Sequence, residues 1–117
     1  MSNKHNKFDI ELLLKSENKQ DCIDALMYIT FNFTDFEWIQ EKCIEQINSA
    51  KNSSIKELAV TCLGHTARIH KTINKERTIP LLLELLKNNA LSGQAQDALD
   101  DIEHFTNISG CSRNQAT

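Results

Sequence analysis

The chain is poor in residues that make turns. It holds only three Gly and one Pro in 117 residues, too few for a collagen-like, linker-like or turn-rich β architecture. No segment alternates polar and apolar residues with the period of a strand. No run approaches the ~18 apolar residues of a membrane span, and Met1 to Lys7 lacks the apolar core of a signal peptide. The expected location is therefore the cytoplasm, away from any membrane. Aromatic residues make up only 6%. The motifs G-x-S-x-G, H-E-x-x-H, C-x-x-C and the P-loop are all missing.

What is present suits one small soluble domain. Hydrophobic residues make up 40% and charged residues 25%, with a formal net charge of −3. A mildly acidic chain is a poor general binder of nucleic acid or anionic lipid. Four cysteines, Cys22, Cys43, Cys62 and Cys111, are widely spaced. The first three sit within apolar-periodic segments, as small buried hydrophobes do in a reducing compartment. The glycosylation sequons at Asn32, Asn52 and Asn107 carry no meaning without secretion.

The apolar residues recur with helical spacing nearly throughout. Six helices are expected: Phe8–Lys15, Asp21–Phe31, Phe36–Ala50, Ile55–Ile69, Arg77–Lys87 and Ser92–Phe105. Thr34 or Asp35 is placed to cap the third. Ser53 or Ser54 is placed to cap the fourth, with Glu57 completing a capping box. Pro80 is tolerable if it falls in the first turn of the fifth. After Thr106 the chain turns polar and small, so 1–106 reads as one helical domain and 107–117 as a flexible polar tail.

The helices fall into pairs with a shared register. Ala25, Ala59 and Ala98 are separated by 34 and 39 residues, and each is followed four residues later by Ile29, Leu63 or Ile102. Among the first members, Ile44 and Ile47 precede Leu83 and Leu86 by 39 residues. Self-similarity at this period is the mark of stacked helical hairpins that cannot bury their apolar faces alone. The expected fold is all-α, a short right-handed α-solenoid of about three hairpins. Gly64, in mid-helix at a cost of ~1 kcal/mol, reads as a point of close helix packing within a repeat, or as a bare patch for a partner backbone.

The run from Pro80 to Asn89 with Ala95 to Ile102 resembles a HEAT repeat. The stretches Leu58 to His70 and Asp97 to Phe105 are similar to those of very small bacterial HEAT-like proteins. Some of these serve as immunity proteins in contact-dependent growth inhibition, where a neighbouring cell delivers a toxic nuclease domain. The resemblance covers roughly residues 20–105. It implies a non-catalytic protein that binds a cognate toxin domain, a basic nuclease, and occludes its active site or substrate surface. An adaptor with an unrelated protein partner is the alternative. HEAT-like di-iron hydroxylases carry repeated His-Glu dipeptides. This chain has none, and Glu103-His104 is the reverse order.

Candidate chemistry is sparse. Cys62 and His65 share a helix face at i, i+3, but zinc needs four ligands, or three and a water, and His70 points elsewhere. No metal or cofactor is expected. Cys62 lies on an apolar face, where burial raises a thiol's pKa and makes it inert, so no catalytic residue is assigned. Residues 51–77 carry six Lys/Arg against two Glu, including Arg68, Lys71, Lys75 and Arg77. They complement a helix C-terminus and lack the aromatics that stack on bases, so direct nucleic-acid binding is not expected.

The acidic residues are more informative. From Asn88 to Ser112 there are four acids, Asp97, Asp100, Asp101 and Glu103, and no Lys or Arg. With Glu57 and Thr61 they lie on the polar side of second helices, which line one face of a solenoid. These six are the expected partner-binding residues, with Trp38, His65 and Arg68 as possible interface anchors. Such a surface would steer a cationic partner. Reversal of Asp100 and Asp101 to Lys is expected to weaken association with the fold intact. A monomer is expected in the toxin-bound state.

Overall fold

The computed structural model describes residues 6–106, which form six α-helices and no strand. They are α1 (Lys7–Leu14), α2 (Lys19–Asn32), α3 (Phe36–Ser49), α4 (Ser53–His70), α5 (Lys75–Leu85) and α6 (Ser92–Thr106). The expected tail, 107–117, lies outside the described residues, as does Cys111. No described helix is long and apolar enough to cross a membrane.

Helix starts are set by short polar side chains. Asn6, Asn18, Asn52 and Asn74 cap α1, α2, α4 and α5, and Asp35 caps α3. Each side-chain oxygen accepts from amides of the first turn, which otherwise have no partner. At α4 the expected Ser53 or Ser54 cap and its Glu57 capping box do not form. Asn52 takes the position, accepting from the amides of Ser54 at 2.8 Å and Ile55 at 3.4 Å. Helix α5 starts at Lys75, so Pro80 is its sixth residue and not part of the first turn. The ring faces solvent, where the missing N–H leaves a carbonyl that water can reach.

The helices pair as α1/α2, α3/α4 and α5/α6, and the second members α2, α4 and α6 lie side by side. Extents of 49 × 32 × 17 Å fit two helix layers at the usual spacing of about 8–10 Å. The arrangement is all-α and solenoid-like. The repeated alanines explain the stacking. Ala25, Ala59 and Ala98 are all buried, as are Ile29, Leu63 and Ile102. In the first layer the 39-residue register holds, but the exposed member differs. Cys43 and its counterpart Leu82 are both buried, whereas Ile44 is buried and its counterpart Leu83 is 51% exposed. Among the described residues no further hairpin packs on the α5 flank.

The buried threonines are satisfied locally, whereas His70 Nε2 is buried with no hydrogen-bond partner among the described residues. Thr30, Thr66, Thr78 and Thr106 are buried, and each hydroxyl donates to the carbonyl four residues earlier. Two buried glutamines of α3 staple separate segments. Gln46 Nε2 donates to the Leu14 carbonyl at 3.2 Å, and its Oε1 accepts from the Cys22 thiol. Gln40 Oε1 accepts from the Asn74 amide at 3.0 Å.

Candidate functional site: the face of the second helices

Three stacked helices in a common register present their outer residues in rows. The spacings of 34 and 39 residues align Asp24, Leu58 and Asp97, then Met27, Thr61 and Asp100, then Phe31, His65 and His104. The Phe31 and His65 rings are neighbours, with centroids 5.5 Å apart. Between α4 and α6 the surface dips into a recess of about 320 Å³ lined by Thr61, His65, Asp97, Ala98, Asp100 and Asp101.

Five of the expected partner-facing residues therefore converge. Arg68 joins them through His65, its guanidinium donating to Nδ1 at 2.6 Å. Arginine has no acceptor, so Nδ1 carries the lone pair and the imidazole is neutral with its proton on Nε2. Burial, seconded by the charge of Arg68, pushes the His65 pKa down, and Asp101 pulls the other way. With its acceptor nitrogen occupied, His65 is poorly placed to take a proton from a substrate.

The other expected residues lie apart. Glu57 is half-buried on α4 and does not line the recess. Glu103 lies round α6 in a second depression with Asp100, Asp101, His104 and Phe105. Trp38 is half-buried at the start of α3, stacked on Phe33 at 5.2 Å and faced by the ammonium groups of Lys7 and Lys42 at 5.0 and 5.6 Å. Its ring is occupied by contacts within the molecule. The basic stretch is similarly engaged. Arg77 forms a two-pronged bond to Glu41, and Lys71 sits over the Phe105 ring.

Gly64 lies beneath the recess. A Cβ there would stand 2.8 Å from Asp101 Oδ2 and 3.1 Å from Ala98 Cα. Close packing is thus its role, but the contact is between repeats and not inside one. Asp101 is seated on bare backbone, so its replacement by the longer Lys would force the side chain out of this seat. The fold-neutral charge reversal expected at Asp100 and Asp101 is better made at Asp97 and Asp100, which are both exposed.

Cys22, Cys43 and Cys62 are buried and free. Burial pushes the Cys22 thiol up, and the thiol of Cys43 is held well above its ordinary value by its hydrogen bond to Cys62 and by burial. Cys62 departs from the expectation of a raised thiol. The hydrogen bond from Cys43 favours its thiolate and outweighs burial, so its pKa is lowered. It remains fully enclosed. No group of three or more His, Cys, Asp or Glu among the described residues is arranged to hold a metal ion.

Sequence reasoning missed Met27 and Phe31 of α2, which are 39% and 49% exposed, with Phe31 reaching the recess through the His65 ring. The repeat spacing held the signal, since Phe31 occupies the position of His65 one hairpin earlier.

No protein-family model matches this chain, and no curated protein matches it. Among solved structures, a chain in the crystal structure of a CDI complex from Cupriavidus taiwanensis LMG 19424 superposes with a TM-score of 0.79. The two are 29% identical, and the match covers 90% of this chain and 92% of that one. In fold and in sequence, this chain is similar to a chain of a CDI complex, in keeping with the resemblance carried by residues 20–105.

Proposed function

We propose that this protein is an immunity protein of contact-dependent growth inhibition, which binds a cognate toxin domain in the cytoplasm and neutralises it by occlusion. The observation that carries this reading is the match to a CDI complex chain across almost the full length of both proteins. The α2–α4–α6 face supplies the surface. Its carboxylates suit a cationic partner, and nucleases are commonly cationic because they bind phosphate. A nuclease is therefore the toxin class this face favours. An acidic surface raises the encounter rate and can cover a phosphate-binding cleft without chemistry of its own. A tight inhibitor needs about 12 kcal/mol for nanomolar affinity, usually from a few buried anchors within a charged surround.

The test is co-expression with the toxic C-terminal domain of a large secreted protein encoded immediately upstream. A co-purifying complex, restored growth and loss of RNA or DNA cleavage are expected. Failure of the two to associate overturns the reading. Association with a toxin that cleaves no nucleic acid keeps the immunity role and removes the nuclease. A protein recovered from cells only with a housekeeping complex would instead be an adaptor.

A further inference from the structure

The face of the second helices is divided by chemistry. On α2 it carries two exposed apolar side chains, Met27 and Phe31, beyond the single carboxylate of Asp24. On α6 it is acidic, and that helix contains no Lys or Arg. The ion pairs of Lys7, Lys42, Arg77 and Lys87 use other carboxylates, those of Glu11, Asp35, Glu41, Glu45 and Glu84. Asp97, Asp100 and Asp101 meet at the recess, and none of these four cations is paired to them. Asp97 and Asp101 are one turn apart, an arrangement that repels in isolation and is relieved when a cation arrives.

Between the two halves stand Thr61 and His65. Arg68 holds His65 neutral, so the imidazole adds no positive charge beside the carboxylates. The Phe31 ring meets the His65 ring at 5.5 Å, extending the aromatic surface from α2 to the lip of the recess.

Resting on the immunity reading, we infer that the toxin docks through two unlike anchors: an apolar side chain laid on Met27 and Phe31, and an arginine or lysine seated in the α4–α6 recess. Charge complementarity fixes the second. Three carboxylates bordering a recess with aromatic and small walls accept a cationic head and its aliphatic stem. The exposed apolar strip fixes the first, since a ring half in water gains by being covered. The spacing of neighbouring helices places the two partner anchors about 10–20 Å apart, one to two helix widths. The same carboxylates repel phosphate, so the surface that docks is protein and not bound nucleic acid.

Two variants separate the anchors: Phe31→Ala, and Asp97→Lys combined with Asp100→Lys. These side chains are exposed, and circular dichroism should report an unchanged fold. The probe is the toxic domain encoded immediately upstream, with affinity measured by titration calorimetry at low and high salt. Phe31→Ala is expected to weaken binding about tenfold with the salt dependence kept. The double charge reversal is expected to weaken it about a hundredfold or more and to flatten the salt dependence. Glu84→Lys, on the other layer, should leave affinity unchanged. Wild-type affinity in both face variants overturns this inference and leaves the immunity reading standing. No complex with the wild-type protein overturns both. Loss in the charge variant alone, at any salt, overturns the apolar anchor.

Discussion

At Gly64 a missing side chain sets how near two repeats come. Alanine there would gain about 1 kcal/mol of helix propensity but would press on Ala98 Cα at 3.1 Å. The Asp101 carboxylate can rotate aside, whereas the α6 backbone cannot without moving the helix. Overpacking of this kind costs about 1–3 kcal/mol, so Gly64→Ala is expected to lower the melting temperature by several degrees in a thermal scan. His65 supplies the pH-dependent term. Its folded pKa lies below the ordinary histidine value of about 6.5, through burial first and Arg68 second. The unfolded chain therefore binds this proton more readily. Stability from His65 is full above that ordinary value and is lost as pH falls through the lowered folded one. In an NMR titration the His65 midpoint should lie below that of a free histidine. It should rise in Arg68→Ala and fall further in Asp101→Asn.

At the scale of elements, the stripes and breaks of the sequence located every described helix to within two residues at each boundary. The caps were harder to read, because runs such as Asn52-Ser53-Ser54 offer several competent side chains in a row. Which one caps depends on where the tertiary contacts of Ile55 and Ala59 fix the helix axis. Asn52→Ala is expected to cost about 1 kcal/mol, and Ser53→Ala close to nothing, as measured by urea denaturation. The reverse ranking would return the cap to serine. The polar staples were also hidden. Gln40 and Gln46 lie on the apolar stripe of α3 with Cys43 and Ile47. A glutamine at that register marks a buried polar side chain, but its partner, 32 residues away for Gln46 and 34 for Gln40, has no local signature.

For the whole molecule, α4 is the hub. It packs against α2, α3 and α6, so no hairpin can leave without exposing part of the common core. A short solenoid tied this way should unfold as one unit. Helix signal at 222 nm and Trp38 fluorescence, which reports the α1–α3 junction, are expected to give coincident urea transitions. A fluorescence change that precedes loss of helix would mean that the first hairpin detaches alone.

The sequence by itself determined the all-α class, the pairing of helices and the acidic character of α6, because helical periodicity, repeated small residues and charge are local properties. It could also gather Thr61, His65, Asp97, Asp100 and Asp101 on one side, since register places them there. Tertiary structure alone decided that Asp101 rests on Gly64, that Arg68 occupies His65, that Trp38 is enclosed by two lysines and that Phe31 borders the recess. Each of these depends on the distance and rotation between helices from different parts of the chain. That geometry is set by the packing of the whole core, and no single segment encodes it.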